Sequence, residues 1–298
     1  MVSNQTIESR SVFTIVGDFV ALTKPRVMSL LLVSAVTGAF LGTGSTPSAA
    51  VFLTVMIGGA LASGGAASLN MAYEGELDQL MGRTKNRPVA EGRISARAAM
   101  LFGLILNGGA FLVFALMTNV LAASLAIVGT TLYFGLYTVI LKRTTTQNIV
   151  IGGAAGAVPP LVGYAAATGT VDLSAWYLFA IIFFWTPPHF WALAIMIKDD
   201  YARADVPMLP VVRGLAYTSK QIFLYTIVLS ILTILFGVMS GPLGWIYMIG
   251  TVVLSTGFMW YAFRLLHDTE KRTATRVYKY SLMYLALFFV LVMIDSTV

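Results

Sequence analysis

VFLTVMIGGALASGGAASLNMAYEGELDQLMGRTKNRP, residues 51–88, changes character at residue 70. Nineteen residues without a charge give way to Asn70, Glu74, Asp78, Arg83, Lys85 and Arg87 within the next eighteen. An uncharged run of that length matches the roughly 20 residues a helix needs to cross a bilayer. The rest of the chain repeats the pattern. Of 298 residues, 58% are hydrophobic and 11% charged, and mean hydropathy is +0.83, more apolar surface than one soluble core could cover.

Nine apolar runs stand at roughly 27–43, 51–70, 99–117, 121–138, 148–168, 174–197, 221–240, 243–263 and 279–295. They predict an all-α, polytopic membrane protein: one membrane-embedded domain over residues 1–298, with residues 1–26 as a cytoplasmic tail. That tail carries Glu8 and Asp18, lacks an apolar core and does not read as a signal or transit peptide, so the first spanning helix is expected to serve as its own insertion signal. The absence of cysteine excludes a disulfide and a thiolate metal site.

Orientation follows from the basic residues. Lys and Arg number three before the first run, five between runs two and three, two between four and five, four between six and seven, and five between eight and nine, which accounts for all 19. The alternate connections carry none. The positive-inside rule therefore places the N-terminus and all five basic segments in the cytoplasm, and the C-terminus outside. Function is expected at the inner face, where the polar material collects.

At that face, Asn70, Glu74 and Asp78 recur at i, i+4 and i+8. In a helix they fall within about 80° of one another, while Glu76 points elsewhere. Two carboxylates so placed repel, and a boundary with hydrocarbon adds to the cost. A divalent cation would relieve the conflict. Hard oxygen donors suit Mg²⁺, which takes one or two carboxylates and shares the rest of its shell with water and substrate phosphates. Arg83, Lys85 and Arg87 follow, offering donors to phosphate oxygens. The bland alternative is a set of topogenic anchors beside solvated carboxylates; it accounts for the arginines but not for Asn70 and Glu74 at a helix end.

KDDYARADVPMLP, residues 198–210, repeats the chemistry after the sixth run with Asp199, Asp200 and Asp205 beside Lys198 and Arg203. Four runs separate the two islands, an echo that suggests two related halves plus a ninth helix. LKRTTTQN, residues 141–148, adds Lys142 and Arg143, with either a topogenic role or phosphate contact. His189, in WTPPHFWALA (185–194), stands roughly 13 Å inside the membrane boundary at 1.5 Å per residue. It is a functional candidate by depth, next to a pair of prolines expected to break the helix. His267 reads as solvated.

An oxygen-ligated metal and basic clusters at a membrane interface suit a diphosphate head on a lipid-soluble tail. Metal and arginine would stabilise departing diphosphate, and the faces of Tyr73, Tyr133, Tyr137 and Tyr201 are candidates to shield the allylic cation left behind. A transporter is the reading from another class, but transporters place ionisable groups near the midplane, whereas these acidic residues fall at helix ends.

These residues resemble the UbiA-type intramembrane prenyltransferases. The likeness runs from LTKPRVMSLLLVSAVTGAFLG (22–42) to the ninth run. Its most specific parts are N-x₃-E-x₃-D with LMGRTKNRP (80–88), LKRTTTQNIVIGGAAGAVPPLVGY (141–164) and TPPHFWALAIMIKDDYARADVPMLPVV (186–212). The segment from Pro187 to Pro210 resembles the haem-modifying branch. The resemblance implies a nine-helix bundle in a bacterial cytoplasmic membrane. It implies transfer of a farnesyl group from farnesyl diphosphate to a vinyl group of haem B with addition of water, giving haem O for a haem A synthase. It further implies Mg²⁺ at Asn70, Glu74 and Asp78, diphosphate at Arg83 and Arg87 with Lys142 and Arg143 matching basic positions, and haem at His189. The charge pattern of the two islands adds Asp199 and Asp200 as metal donors and Lys85 and Lys198 as diphosphate contacts. Met71 after Asn70 and the D-D-x₄-D spacing of the second island depart from the wider pattern. A 4-hydroxybenzoate-type aromatic prenyltransferase is the alternative acceptor class.

Overall fold

The computed structural model describes residues 11–241 and 243–297. Residues 1–10 of the expected tail, Glu8 among them, lie outside these. The remainder of that tail is not featureless: Val12–Leu22 forms helix α1. Its exposed residues include Phe13, 90% accessible, with Val12, Val16 and Val20, so α1 has the apolar flank of a helix lying in the membrane surface.

The chain passes from α1 into the first span through Lys24, which adopts a left-handed conformation (φ 51°, ψ 60°). Pro25 then starts α2 (Pro25–Thr43). Proline suits the first helical position because its fixed φ is already helical, and it bars its predecessor from that conformation. The other spans are α3 (Ala49–Tyr73), α5 (Ala96–Met117), α6 (Val120–Thr130) continued by a π-helix π1 (Thr131–Leu141), α7 (Asn148–Thr168), α8 (Leu173–Met196), α11 (Gly214–Met239), α12 (Trp245–His267) and α13 (Lys271–Asp295). Short helices α4 (Gly75–Gln79), α9 (Lys198–Arg203) and α10 (Leu209–Val212) lie between them. Among the described residues nine helices are long and apolar enough to span a membrane, the number read from the sequence. Two start well before their apolar runs, α11 at Gly214 and α13 at Lys271, because their first turns carry polar residues that extend beyond hydrocarbon.

The helices pack α3 along α5, α2 along α7, α7 against α8, and α8, α11, α12 and α13 among themselves. Small residues permit the closest approaches. A methyl on Gly163 would overlap the Ala35 carbonyl, and one on Gly38 the Pro160 carbonyl, so α2 and α7 touch backbone to backbone. In the small-residue run of α3, Gly65 lies against Gly103 and Asn107 of α5.

The proline pairs do not break their helices. Pro159–Pro160 and Pro187–Pro188 lie inside unbroken α7 and α8. Packing on every side holds these helices through the lost donors, which membrane helices tolerate. The interruptions fall instead at Glu74 between α3 and α4 and at Ile197 between α8 and α9. The first falls within the first polar island and the second immediately before the other, so both islands are built as long helix, break, short helix.

Candidate active site

The first island is built on the break after α3. Glu74 leaves helical geometry (φ −93°, ψ 10°), yet its N–H donates to Asn70 O at 3.0 Å and the Asp78 N–H to Glu74 O at 2.8 Å. The i→i+4 bonding therefore continues across the break. The expectation of one continuous helix fails, and the shared face survives. Asn70, Glu74 and Asp78 are each 2% exposed; Glu76 is exposed.

Each of the three meets a cation from a different part of the chain. Lys24 Nζ donates to Asn70 Oδ1 at 2.6 Å, and Lys142 Nζ to Glu74 Oε1 at 2.5 Å. Arg87 Nη1 donates to both oxygens of Asp78 at 2.8 Å. Charges this deep persist only when paired. Arg87 is returned to Asp78 by a compact turn in which Thr84 Oγ1 donates to Asp78 O at 3.0 Å and the Arg87 N–H to Thr84 O at 3.0 Å. Burial, with Arg87 and Lys142 adding to it and Glu74 opposing, pulls the Lys24 ammonium down to about 7.

The π-helix forms the facing wall. Its i→i+5 bonding continues to the Lys142 N–H, which donates to Tyr137 O at 2.9 Å. A π-helix has about 4.4 residues per turn from that bonding, so Tyr133, Tyr137, Thr138 and Lys142 come onto one side. Asn70 Nδ2 donates to Thr138 Oγ1 at 3.0 Å, which donates in turn to Tyr133 O at 2.9 Å. This network orients the amide so that its oxygen faces Lys24. The rings of Tyr133 and Tyr137 stack 5.9 Å apart. Tyr73 is exposed and meets Phe134 edge-on.

The second island joins the first only in part. An added methyl on Gly82 would lie 3.9 Å from the Asp200 carboxylate, so α9 lies over the turn between Asp78 and Arg87. Burial raises the Tyr201 hydroxyl above its usual range, with Glu74 and Asp200 adding to the effect and Arg83 and Arg87 opposing it. Asp200 pairs with Arg203. Asp199, by contrast, is 75% exposed on its side chain and faces Lys271 at 3.6 Å. One step along a helix turns it about 100° from Asp200, and the structure does not bring it to the cluster. Asp205 is exposed, with a left-handed φ of 51°. Arg83, Lys85 and Arg143 are exposed and Lys198 half-buried at this end.

His189 stands apart, between α8 and α13. Its ring stacks between Trp185 at 4.3 Å and Tyr278 at 4.7 Å, and Nδ1 lies 2.8 Å from Ser281 Oγ. Ser281 Oγ donates to Tyr278 O at 2.7 Å. With that proton committed, Nδ1 is assigned as the donor and Nε2 keeps its lone pair.

The donor set fits a divalent cation of the Mg²⁺ type. Two carboxylates and one amide oxygen lie buried on one face. Among the described residues no three His, Asp or Glu side chains converge into an all-protein cage. A site with few protein ligands is what Mg²⁺ takes when phosphate and water complete its shell.

Lys24 and Thr138 escape the sequence reading. Lys24 carries a signal only as a lysine before proline at the start of a span, and Thr138 none, because 46 and 68 residues separate them from Asn70.

A family model described as the UbiA prenyltransferase family matches residues 31–290. The chain is 50% identical over 285 residues to protoheme IX farnesyltransferase of Chloroflexus aurantiacus, covering 96% of this chain and 48% of that one. It is 47% identical over 281 residues to the protein of the same name from Thermus thermophilus, covering 94% and 46%. The chain thus spans about half the length of these relatives, but 92% of protoheme IX farnesyltransferase from Gloeobacter violaceus, at 47% identity and covering 94% of this chain. Among solved structures, digeranylgeranylglyceryl phosphate synthase superposes with a TM-score of 0.78 at 17% identity, covering 94% of this chain and 98% of that one. A UbiA homologue from Archaeoglobus fulgidus bound to GPP and Mg²⁺ superposes with a TM-score of 0.66 at 16% identity, covering 93% and 99%.

Proposed function

Since the chain belongs to the UbiA prenyltransferase family, we propose that it transfers a farnesyl group from farnesyl diphosphate to a vinyl group of haem B, adding water and releasing diphosphate and haem O. The observation that carries the transfer chemistry is the buried set Asn70, Glu74 and Asp78, each held by its own cation, beneath a wall of tyrosines. The haem acceptor rests on the relatives named protoheme IX farnesyltransferase. The chain acts as one membrane-embedded unit over residues 1–298, in a bacterial cytoplasmic membrane with this site toward the cytoplasm.

Asn70, Glu74 and Asp78 would hold Mg²⁺, with Asp200 the nearest contributor from the second island; Asp199 is dropped from the set because it faces outward. Bound there, the ion supplies positive charge to the diphosphate oxygens and lowers the cost of their departure. Arg83, Arg87, Lys142 and Lys24 bind the remaining phosphate oxygens, Lys85, Arg143 and Lys198 adding to the positive field around them. As the allylic C–O bond breaks, its electron pair leaves with diphosphate and the basic residues stabilise the charge that develops. The stacked faces of Tyr133 and Tyr137 shield the farnesyl cation. The vinyl π electrons form the new C–C bond, and water captures the resulting haem-bound cation and gives up a proton. His189, with its Nε2 lone pair open, orients the haem. Haem O would pass to a haem A synthase.

Membranes containing the chain, incubated with haem B, farnesyl diphosphate and Mg²⁺, are expected to yield haem O by mass, and to lose that product in chelator. Prenylated 4-hydroxybenzoate in its place overturns the haem assignment.

A further inference from the structure

Three oxygen ligands on one helix face are each engaged by a basic side chain, and the three bases come from three separate elements. Lys24 enters from the start of α2, Lys142 from the end of π1 and Arg87 from the turn beyond α4. Arg87 Nη1 alone engages both oxygens of Asp78, and Lys142 lies 2.5 Å from Glu74. A divalent ion brought to Glu74 or Asp78 therefore meets a cation at contact distance, and burial leaves little water to screen the repulsion. A diphosphate has the opposite effect. Its oxygens attract the same ammonium and guanidinium groups away from the carboxylates, and its negative charge lies where the metal needs it.

We propose, on the diphosphate-site reading above, that Lys24, Lys142 and Arg87 are exchangeable caps that pass from Asn70, Glu74 and Asp78 to diphosphate oxygens, so that metal and diphosphate bind as one unit. Lys24, which no motif assigned, is the third of these positioning residues. Its left-handed backbone at the α1–α2 corner fixes its starting point while its long side chain moves. By linkage, whatever diphosphate adds to metal affinity the metal adds to diphosphate affinity.

The test uses the full-length protein in detergent, with Mn²⁺ as a spin-detectable stand-in for Mg²⁺ and inorganic pyrophosphate as the anion, each titrated alone. That arrangement removes their association in solution from the measurement. Lys142→Met is expected to raise affinity for Mn²⁺ alone about tenfold and to lower affinity for pyrophosphate alone by a similar factor. Lys24→Met, altered outside the spans, is expected to shift both in the same directions. Opposite signs are the signature, because a purely structural lysine would weaken both or neither. Unchanged or weakened Mn²⁺ binding in both variants, with wild-type binding of both probes intact, overturns the caps and leaves the diphosphate site standing. Wild-type protein that binds neither probe overturns the site reading and the caps with it.

Discussion

Arg87 takes both oxygens of Asp78 with one nitrogen, and the carboxylate side chain is 3% exposed. Truncating one member of so buried a pair costs about 3–5 kcal/mol through the charge left alone. Arg87→Ala is therefore expected to lower both the melting temperature and turnover, the latter by about 10²–10³-fold as for loss of one donor to a developing anion. Glu76→Gln, on the exposed side, should leave both unchanged in the same assays. His189 makes a different claim, because its contacts are with Trp185, Tyr278 and Ser281 and not with the island. His189→Ala is expected to cut haem O formation while pyrophosphate binding persists; equal loss of both would join the two regions into one. At this scale the sequence was informative where spacing is local. Asn70, Glu74 and Asp78 share a face because four residues make about a turn, and the charge pattern says so. The partners Lys24 and Lys142 depend on how distant helices meet, which no local spacing records.

The π-helix is the element on which the site's geometry turns. Eleven residues of i→i+5 bonding, Thr131–Leu141, rotate Tyr133, Thr138 and Lys142 into line. In an α-helix the five residues from Tyr133 to Thr138 would turn the two about 140° apart. Such stretches are uncommon and concentrate at functional sites. Deleting Gly135 is expected to restore α-helical bonding: Tyr133 and Thr138, then four steps apart, stay within about 40° of each other, but Lys142, eight steps from Tyr133, turns about 80° away. Turnover should then fall, while the protein still inserts and keeps its helical circular dichroism. Retained activity would show that the wall does not depend on the wide helix. Nothing in TLYFGLYTVI distinguishes this stretch from an ordinary apolar helix. The prolines mislead in the opposite sense: Pro187 and Pro188 look like a break, but α8 continues through them as one helix, and the break comes at Ile197.

The whole molecule was the most legible level, because hydrocarbon imposes a length on each span and basic residues mark its ends. The site then had to lie at one rim, where α3 and α8 each end in a break and a short polar helix. Orientation is open to direct measurement, since a chain without cysteine accepts single reporters. A membrane-impermeant maleimide applied to intact cells is expected to label Ser45→Cys and to spare Ala96→Cys until the membrane is opened. The reverse pattern would invert the topology and move the site to the outer face. The pairing of Asn70, Glu74 and Asp78 with Lys24, Lys142 and Arg87 also bears on biogenesis. Many metalloproteins reach their native state only after the ion neutralises their ligands, but this island draws its counter-charges from its own polypeptide. Nascent chains can thus mature in the bilayer before any ion arrives, and purification in chelator is expected to leave the melting temperature unchanged. A drop of several degrees would mean that the ion is a folding partner as well as a chemical one.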